Sequence, residues 1–240
     1  MNAADKQGPA DSRGVRWHPV ADAGALRDAA CTRILIAAAS ALAERGQFSI
    51  TLAGGRTPRE LYRRLAEAQT DWARWTIYFG DERCLPTDNA DRNDAMAREA
   101  WLARVPIPRE RIHSIPAEFG AKIAATRYSQ VLAGVDDFDL VLLGLGEDGH
   151  TASLFPSHDW GTGPGAPDAI AVLDAPKAPA ERVSLSATRL GRAREVLFLV
   201  DGESKREAVD RWRTGESIPA AAIRPAHGVD VLVTAELLEN

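Results

Sequence analysis

The sequence has few cysteines and no long hydrophobic run. Its two cysteines, Cys31 and Cys84, lack the spacing of metal ligands, and a chain of this length does not need a single disulfide to fold. We therefore expect a reduced, cytoplasmic protein. The longest apolar stretch, residues 34–43, is about half as long as the roughly 20 residues that a membrane-spanning helix requires. No membrane association is expected.

An excess of positive charge is also missing. Lys and Arg number 29 against 34 Asp and Glu, so the net charge is −5. Unspecific binding to nucleic acid or anionic lipid needs a broad cationic surface, so neither is an expected partner. An anionic ligand would have to be bound by a local group of residues. The 45% hydrophobic and 26% charged residues are ordinary values for a globular protein with a core.

Several catalytic motifs are absent. The sequence contains no G-x-S-x-G, no H-E-x-x-H, no Walker lysine and no C-x-x-C. Covalent serine catalysis and zinc chemistry therefore lose support. The motifs give no positive indication of a metal or of another cofactor.

Short apolar runs alternate with longer stretches of helical periodicity. Strands are predicted at 48–52, 76–79, 140–143, 196–200 and 229–233, and helices at 25–45, 58–68, 94–102, 122–132 and 205–214. Several of these strands are apolar on both faces, which is typical of a parallel sheet covered by helices. The pattern predicts an α/β fold with a doubly wound, mostly parallel, Rossmann-like sheet and helices on both faces.

Three segments define the expected domain organisation. Residues 1–14 are polar and contain Ala, Gly and Pro, and we interpret them as a disordered lead-in. Residues 15–240 are expected to form a single α/β domain. Within it, residues 157–181 are rich in Gly and Pro, which is typical of a surface excursion or a lid.

A glycine turn, residues 54–57, follows the first predicted strand. Thr57 and Glu60 have capping-box spacing, and Pro58 suits the first helical position, so a helix is predicted to begin here. Glycines leave backbone N–H groups accessible, and these groups can bind a phosphate at the positive end of a helix. A plain tight turn before a helix would give the same pattern.

Two other strand ends carry charged residues. Ser204 and Glu207 repeat the capping-box spacing, and Lys205 between them is unfavourable beside the positive end of a helix unless an anion is present. A solvated lysine is the alternative. Asp81 and Arg83 follow the strand at 76–79, at the sheet edge where open α/β sheets bind ligands. A surface ion pair is the alternative there.

The loop after residues 140–143 contains glycines with G-x-G-x-x-G spacing. Pro156 comes seven residues after the last of them, Gly149, so the helix that a dinucleotide fingerprint should open is not expected. The loop instead presents Asp148 and His150 at a strand end. Imidazole suits general-base catalysis near neutral pH, although a histidine bonded within a turn is the other interpretation.

Five segments occur in the order known from one enzyme family: residues 52–58, 79–83, 139–156, 179–186 and 202–205. On these segments the sequence resembles the 6-phosphogluconolactonase branch of the glucosamine-6-phosphate isomerase/6-phosphogluconolactonase superfamily. The histidine loop continues with Ala-Ser-Leu-Phe-Pro, as in lactonases, whereas the deaminase branch has a different continuation with an additional acidic residue. Two positions depart from the family: Ala53, where serine is frequent, and Asp94, which follows Asn93 where an aromatic residue is frequent.

The resemblance implies a metal-independent carboxylic ester hydrolase. Its substrate would be a small sugar-phosphate lactone, 6-phospho-D-glucono-1,5-lactone, hydrolysed to 6-phospho-D-gluconate in the second step of the oxidative pentose phosphate pathway. The protein would be a monomer or a small homo-oligomer. A glucosamine-6-phosphate deaminase/isomerase and a non-catalytic sugar-phosphate-sensing module remain as alternatives.

The resemblance and the motifs together predict the site residues. His150 would remove a proton from the attacking water, and Asp81 would orient or tune that site. The oxyanion would be stabilised by Arg83 or by a backbone N–H of residues 144–149, and Arg182 is a further candidate for the pocket. The predicted substrate-binding residues are Gly54, Gly55, Arg56, Thr57, Arg83 and Lys205.

Overall fold

A computed structural model describes residues 14–239. The predicted lead-in therefore lies outside the described residues, except for Gly14. The described strands are β1 (Val15–Val20), β2 (Phe48–Leu52), β3 (Trp75–Phe79), β4 (Asp81–Arg83), β5 (Ile112–His113), β6 (Phe138–Gly144), β7 (Ala169–Val172), β8 (Arg182–Leu185), β9 (Ala193–Val200) and β10 (Val229–Thr234). The described α-helices are α1 (Ala23–Arg45), α2 (Arg56–Leu65), α3 (Asn93–Ala97), α4 (Ala121–Leu132), α5 (Ala187–Gly191) and α6 (Arg206–Thr214).

The main sheet has seven strands in the order β1-β10-β9-β6-β2-β3-β5. Every neighbouring pair in it is parallel, which confirms the predicted α/β fold. All six residues of β10 and the first six of β6 are buried, as expected for strands that are covered on both faces. The carboxyl ends of β3, β2, β6 and β9 lie side by side, so the loops that follow these strands meet at one edge of the sheet.

Helix α1 shows why the predicted helices form where they do. Its first turn is capped by Asp22, whose side chain accepts a hydrogen bond from the Ala25 N–H at 2.8 Å, and it ends at Gly46 in the left-handed conformation. Both are the residue types that favour these positions. One face of α1 is buried, comprising Leu26, Ala30, Cys31, Ile34, Ala38 and Ala41. No helix among residues 14–239 combines the length and hydrophobicity needed to cross a membrane.

Both predicted capping boxes are wrong. Helix α2 begins at Arg56, after Gly55 with φ 109°, and no side chain caps it; Glu60 instead pairs with Arg63 at 2.8 Å. Helix α6 begins after Lys205, again without a side-chain cap. At α2 the N-terminal N–H groups are therefore not covered by a side chain of their own turn. Helix α6 instead continues from a 3₁₀ turn, Glu203–Lys205, and the Glu203 carbonyl accepts the Arg206 N–H.

The strands that were not predicted are short or lie at edges. Among the described strands, β1 has β10 as its single neighbour, and its Pro19 is tolerated because an edge strand needs fewer hydrogen bonds. A second, three-stranded antiparallel sheet has the order β4-β8-β7. The predicted excursion at 157–181 contains β7, so this segment includes regular structure. Four-residue strands such as β7 and β8 are too short for a clear periodicity.

Candidate active site

The loops after β2, β3, β6 and β9 enclose a cavity of about 510 Å³. All eight residues that were predicted as catalytic or substrate-binding residues line this cavity. They are Gly54, Gly55, Arg56, Thr57, Asp81, Arg83, His150 and Lys205. Residues from distant parts of the chain therefore converge because four parallel strands end at the same edge.

One wall of the cavity is the turn before α2. The backbone N–H groups of Gly55, Arg56 and Thr57 donate to no carbonyl or side chain among the described residues. The base of this turn is held by Tyr62, whose hydroxyl donates to the Ala53 carbonyl at 2.8 Å and accepts its N–H at 3.0 Å. Free N–H groups at the positive end of a helix form an anion-binding site.

Lys205 supplies a cation to the same cavity. Burial lowers the pKa of Lys205, and the nearby Lys177 acts in the same direction, while Glu147 and Asp148 oppose them. Lys177 also lines the cavity and approaches Glu147 at 4.0 Å. Because the ammonium group is partly removed from water, its electrostatic attraction to a bound anion would be stronger than that of an exposed lysine.

His150 pairs with Asp148. The imidazole Nδ1 lies 2.5 Å from Asp148 Oδ1, which also accepts the His150 backbone N–H at 3.1 Å. Burial acts to raise the pKa of Asp148, but the interactions with His150, led by the bond from its backbone N–H, outweigh it and lower the pKa. Since an ionised carboxylate only accepts hydrogen bonds, Nδ1 is the donor in this pair, and in the neutral tautomer of the ring Nε2 is the atom with the lone pair.

The imidazole lies directly over Gly146. A side chain at this position would overlap with the His150 ring, so the close approach requires glycine. The Phe155 ring packs against the imidazole with 4.9 Å between centroids. The glycines of this loop therefore accommodate a histidine rather than a dinucleotide.

Asp81 has partners other than His150. Its carboxylate accepts hydrogen bonds from Asn93 Nδ2 at 3.0 Å and from Ser153 Oγ at 2.6 Å, and it is 6% exposed. Sequence reasoning missed Ser153, although this residue lies in the most specific family segment. Nothing in the local sequence around Asn93 indicates its bond to Asp81, because that contact depends on how two loops meet.

The two arginines of the cavity differ in what they bind. Arg83 Nη1 donates to the Asp91 carbonyl, whereas its Nε is buried and has no hydrogen-bond partner among the described residues. Arg182 is used by the backbone, because its guanidinium donates to the carbonyls of Pro179 at 3.1 Å and Lys177 at 2.8 Å. Arg182 therefore holds the end of the 157–181 excursion, whereas the buried Nε–H of Arg83 has no partner among the described residues.

Comparison with known proteins identifies relatives over most of the chain. A sequence model of the family "Glucosamine-6-phosphate isomerases/6-phosphogluconolactonase" matches residues 21–232. A 6-phosphogluconolactonase of Synechocystis sp. is 38% identical over 218 residues, covering 83% of this chain and 87% of that protein. One of Mycobacterium tuberculosis is 39% identical over 217 residues, with the same coverage of 83% and 87%.

Solved structures of similar proteins have the same fold. A crystal structure of 6-phosphogluconolactonase from Thermotoga maritima superimposes with a TM-score of 0.84 at 28% identity, covering 92% of this chain and 99% of that one. A monomeric glucosamine-6-phosphate deaminase has a TM-score of 0.80 at 20% identity, covering 92% of this chain and 98% of that one, a likeness that concerns the fold alone. This chain belongs to the glucosamine-6-phosphate isomerase/6-phosphogluconolactonase family.

Proposed function

We propose that this protein hydrolyses 6-phospho-D-glucono-1,5-lactone to 6-phospho-D-gluconate, the second step of the oxidative pentose phosphate pathway. One observation carries the proposal: a single cavity has an anion-binding helix terminus and Lys205 in its wall, together with the Asp148–His150 pair. A sugar phosphate has an anionic end and, as a lactone, an electrophilic carbonyl. The relatives named 6-phosphogluconolactonase support the same activity.

His150 is proposed as the general base. Its Nε2 takes a proton from water while the water oxygen attacks the lactone carbonyl, and the carbonyl electrons move onto oxygen. When the tetrahedral intermediate collapses, the ring C–O bond breaks and the imidazolium returns the proton to the leaving ring oxygen. A positioned general base typically accelerates a reaction by about 10²–10⁴-fold, and Asp148 stabilises the imidazolium that forms.

Arg83 is proposed to stabilise the oxyanion. The alternative donors in the loop at 144–149 are partly engaged, because the Gly146 N–H donates to the His150 carbonyl at 2.7 Å and the Gly149 N–H to that of Gly146 at 3.0 Å. The unpartnered Nε of Arg83 favours the arginine. One preorganised donor facing an oxyanion typically contributes about 2.7–4 kcal/mol to a barrier.

The phosphate is proposed to lie against the turn before α2. The N–H groups of Gly55, Arg56 and Thr57 would donate to its oxygens, Gly54 would leave the approach open, and Lys205 would supply a point charge. Asp81 would orient the site between this turn and the histidine loop. These groups bind, orient and move a proton without requiring a cofactor.

We also propose a cellular location, an oligomeric state and a domain organisation for this protein. Cys31 and Cys84 are both free thiols, which supports a cytoplasmic location. We also propose that the protein is a monomer or a small homo-oligomer. We further propose that residues 15–240 act as one α/β domain.

The test is lactone hydrolysis by the purified protein, followed by acid release and corrected for spontaneous hydrolysis. His150→Ala is expected to lower kcat by about 10²–10⁴-fold with an unchanged melting temperature. A parent protein that does not accelerate hydrolysis but releases ammonia from glucosamine 6-phosphate would contradict the proposed function. Binding of 6-phosphogluconate without turnover of the lactone would favour a sensing module instead.

A further inference from the structure

Asp81 is held by two buried side chains. Ser153 Oγ donates to its Oδ2 at 2.6 Å, and Asn93 Nδ2 donates to its Oδ1 at 3.0 Å and to its backbone carbonyl at 3.0 Å. Ser153 is 1% and Asn93 4% exposed. Water has little access to these donors, so removal of either one leaves a carboxylate oxygen without a replacement partner.

The two donors come from different parts of the cavity wall. Ser153 lies three residues after His150 in the histidine loop. Asn93 begins α3, and its amide fills the space beside Gly54, where any side chain would overlap with Asn93 Oδ1. Asp81 is therefore bonded to the histidine loop through Ser153, and it is packed against the phosphate-binding turn through Asn93.

The backbone of Asn93 is fixed independently of its side chain. The Glu82 carboxylate accepts the N–H groups of Asn93 at 2.7 Å and of Asp94 at 2.9 Å. Arg92 donates to Asp94 at 3.0 Å and to the Ile115 carbonyl at 2.9 Å. A change at the Asn93 side chain would therefore leave the start of α3 in place.

We propose that Ser153 and Asn93 are positioning residues for the reaction. Ser153 sets the Asp81 carboxylate relative to the histidine loop, and Asn93 sets it relative to the phosphate-binding turn. This inference rests on the proposed function. The two residues should differ in their kinetic effects: both should affect kcat, but only Asn93 should affect KM, because only Asn93 also contacts the phosphate-binding turn.

Ser153→Ala is expected to lower kcat by about 10- to 100-fold and to leave KM within about twofold, because the hydroxyl contacts no part of the phosphate site. Asn93→Ala is expected to lower kcat by a similar factor and to raise KM by about three- to tenfold, because the phosphate-binding turn loses the amide that packs beside Gly54 and its position shifts. Ser186→Ala is the matched control, since it removes a buried hydroxyl that accepts the Arg189 N–H at 3.1 Å and belongs to a residue outside the cavity wall; kcat should stay within about twofold.

A double-mutant cycle distinguishes positioning from a merely structural role. In an Asp81→Ala background, Ser153→Ala should cause no further loss of kcat, because its partner is gone. Asn93→Ala should still raise KM in that background. The inference would be overturned if Ser153→Ala lowered kcat by the same factor with and without Asp81. It would also be overturned if the single variants Ser153→Ala and Asn93→Ala kept kcat within twofold of the parent.

Lactone hydrolysis by the parent protein tests the proposed function, and a separate binding measurement tests the inference. If the parent protein does not hydrolyse the lactone, the proposed function fails, and calorimetric titration with 6-phosphogluconate then tests the inference. Asn93→Ala should weaken this binding by about three- to tenfold, whereas Ser153→Ala should not. Equal affinities of all three proteins would overturn the inference. Circular dichroism and melting temperatures verify that each variant is folded.

Discussion

At the residue scale, the pairing of His150 with Asp148 is the feature on which the proposed chemistry depends. A neutral imidazole carries one proton, and the carboxylate beside Nδ1 decides that Nε2 is the atom without it. The residues are neighbours in sequence, so local loop conformation creates the pair. The charge of Asp148 would stabilise the imidazolium during the reaction.

Asp148→Asn tests this charge. The amide oxygen can still accept from Nδ1, so the ring should stay in place, but the negative charge is lost. We expect kcat to fall by about tenfold or more at unchanged KM, measured at saturating lactone. A kcat within threefold of the parent would mean that the carboxylate only shapes the loop.

Lys205→Met tests the phosphate contact. The variant keeps much of the side-chain volume and removes the charge, so KM should rise by about 10- to 100-fold, the worth of a hydrogen bond to a charged group. Steady-state kinetics across a range of lactone concentrations measure this effect. Lys177→Met is the control at the cavity rim, with a smaller expected change because Lys177 is exposed. If Lys205→Met alters neither KM nor kcat/KM, the lysine is an ordinary surface cation.

At the scale of single elements, the loop after β6 is built around the space needed for one ring. Gly146 lies beneath the imidazole, whereas a side chain at Gly144 would have no neighbour within 4 Å. The two glycines belong to the same apparent motif and differ in their surroundings. This difference provides a matched pair of substitutions.

Gly146→Ala should displace His150 and lower kcat by about 10²-fold, because small displacements of a catalytic group have large effects. Gly144→Ala should retain nearly full activity. Both variants are compared by kcat and by melting temperature. Equal losses in the two variants would show that the loop responds to backbone restriction rather than to displacement of the ring.

At the scale of the whole molecule, the edge strand β1 is attached to the sheet by an ionic cluster away from the cavity. Asp230 of β10 accepts from Arg16 at 2.6 Å and His18 at 2.5 Å, and Arg33 of α1 lies 3.3 Å away. Burial acts to raise the pKa of Asp230, but the hydrogen bonds from His18 and Arg16 and the charge of Arg33 outweigh it and lower the pKa.

Asp230→Asn should lower the free energy of unfolding by about 3 kcal/mol at pH 7, because it leaves partly buried cations without their partner. A carboxyl group with a lowered pKa in the folded state stabilises the protein above its unfolded pKa of about 3.9. This contribution is lost as the pH falls below that value. Urea unfolding at pH 7 and at lower pH should show that the difference in free energy of unfolding between parent and variant becomes smaller as the pH falls. A difference that is the same at every pH would contradict this linkage.

The alternation of strands and helices predicted the parallel sheet, because strands such as β6 that are apolar on both faces have to be covered on both sides. Strands β4, β5, β7 and β8 escaped prediction, since two to four residues carry no periodicity. Their pairing is stabilised by partners distant in sequence. The family segments, in turn, predicted which residues line the cavity.

Local sequence patterns thus established the α/β fold, the family and the set of residues at the sheet edge. Only the folded chain decided which of them touch: Asp148 pairs with His150, and Asp81 bonds to Asn93 and Ser153. It also decided that the helices beginning at Arg56 and Arg206 have no side-chain cap. The physical reason is the range of the interactions. Hydrophobic periodicity acts within one element, whereas the Asp81–Ser153 hydrogen bond joins loops 72 residues apart and forms only where their strands end together.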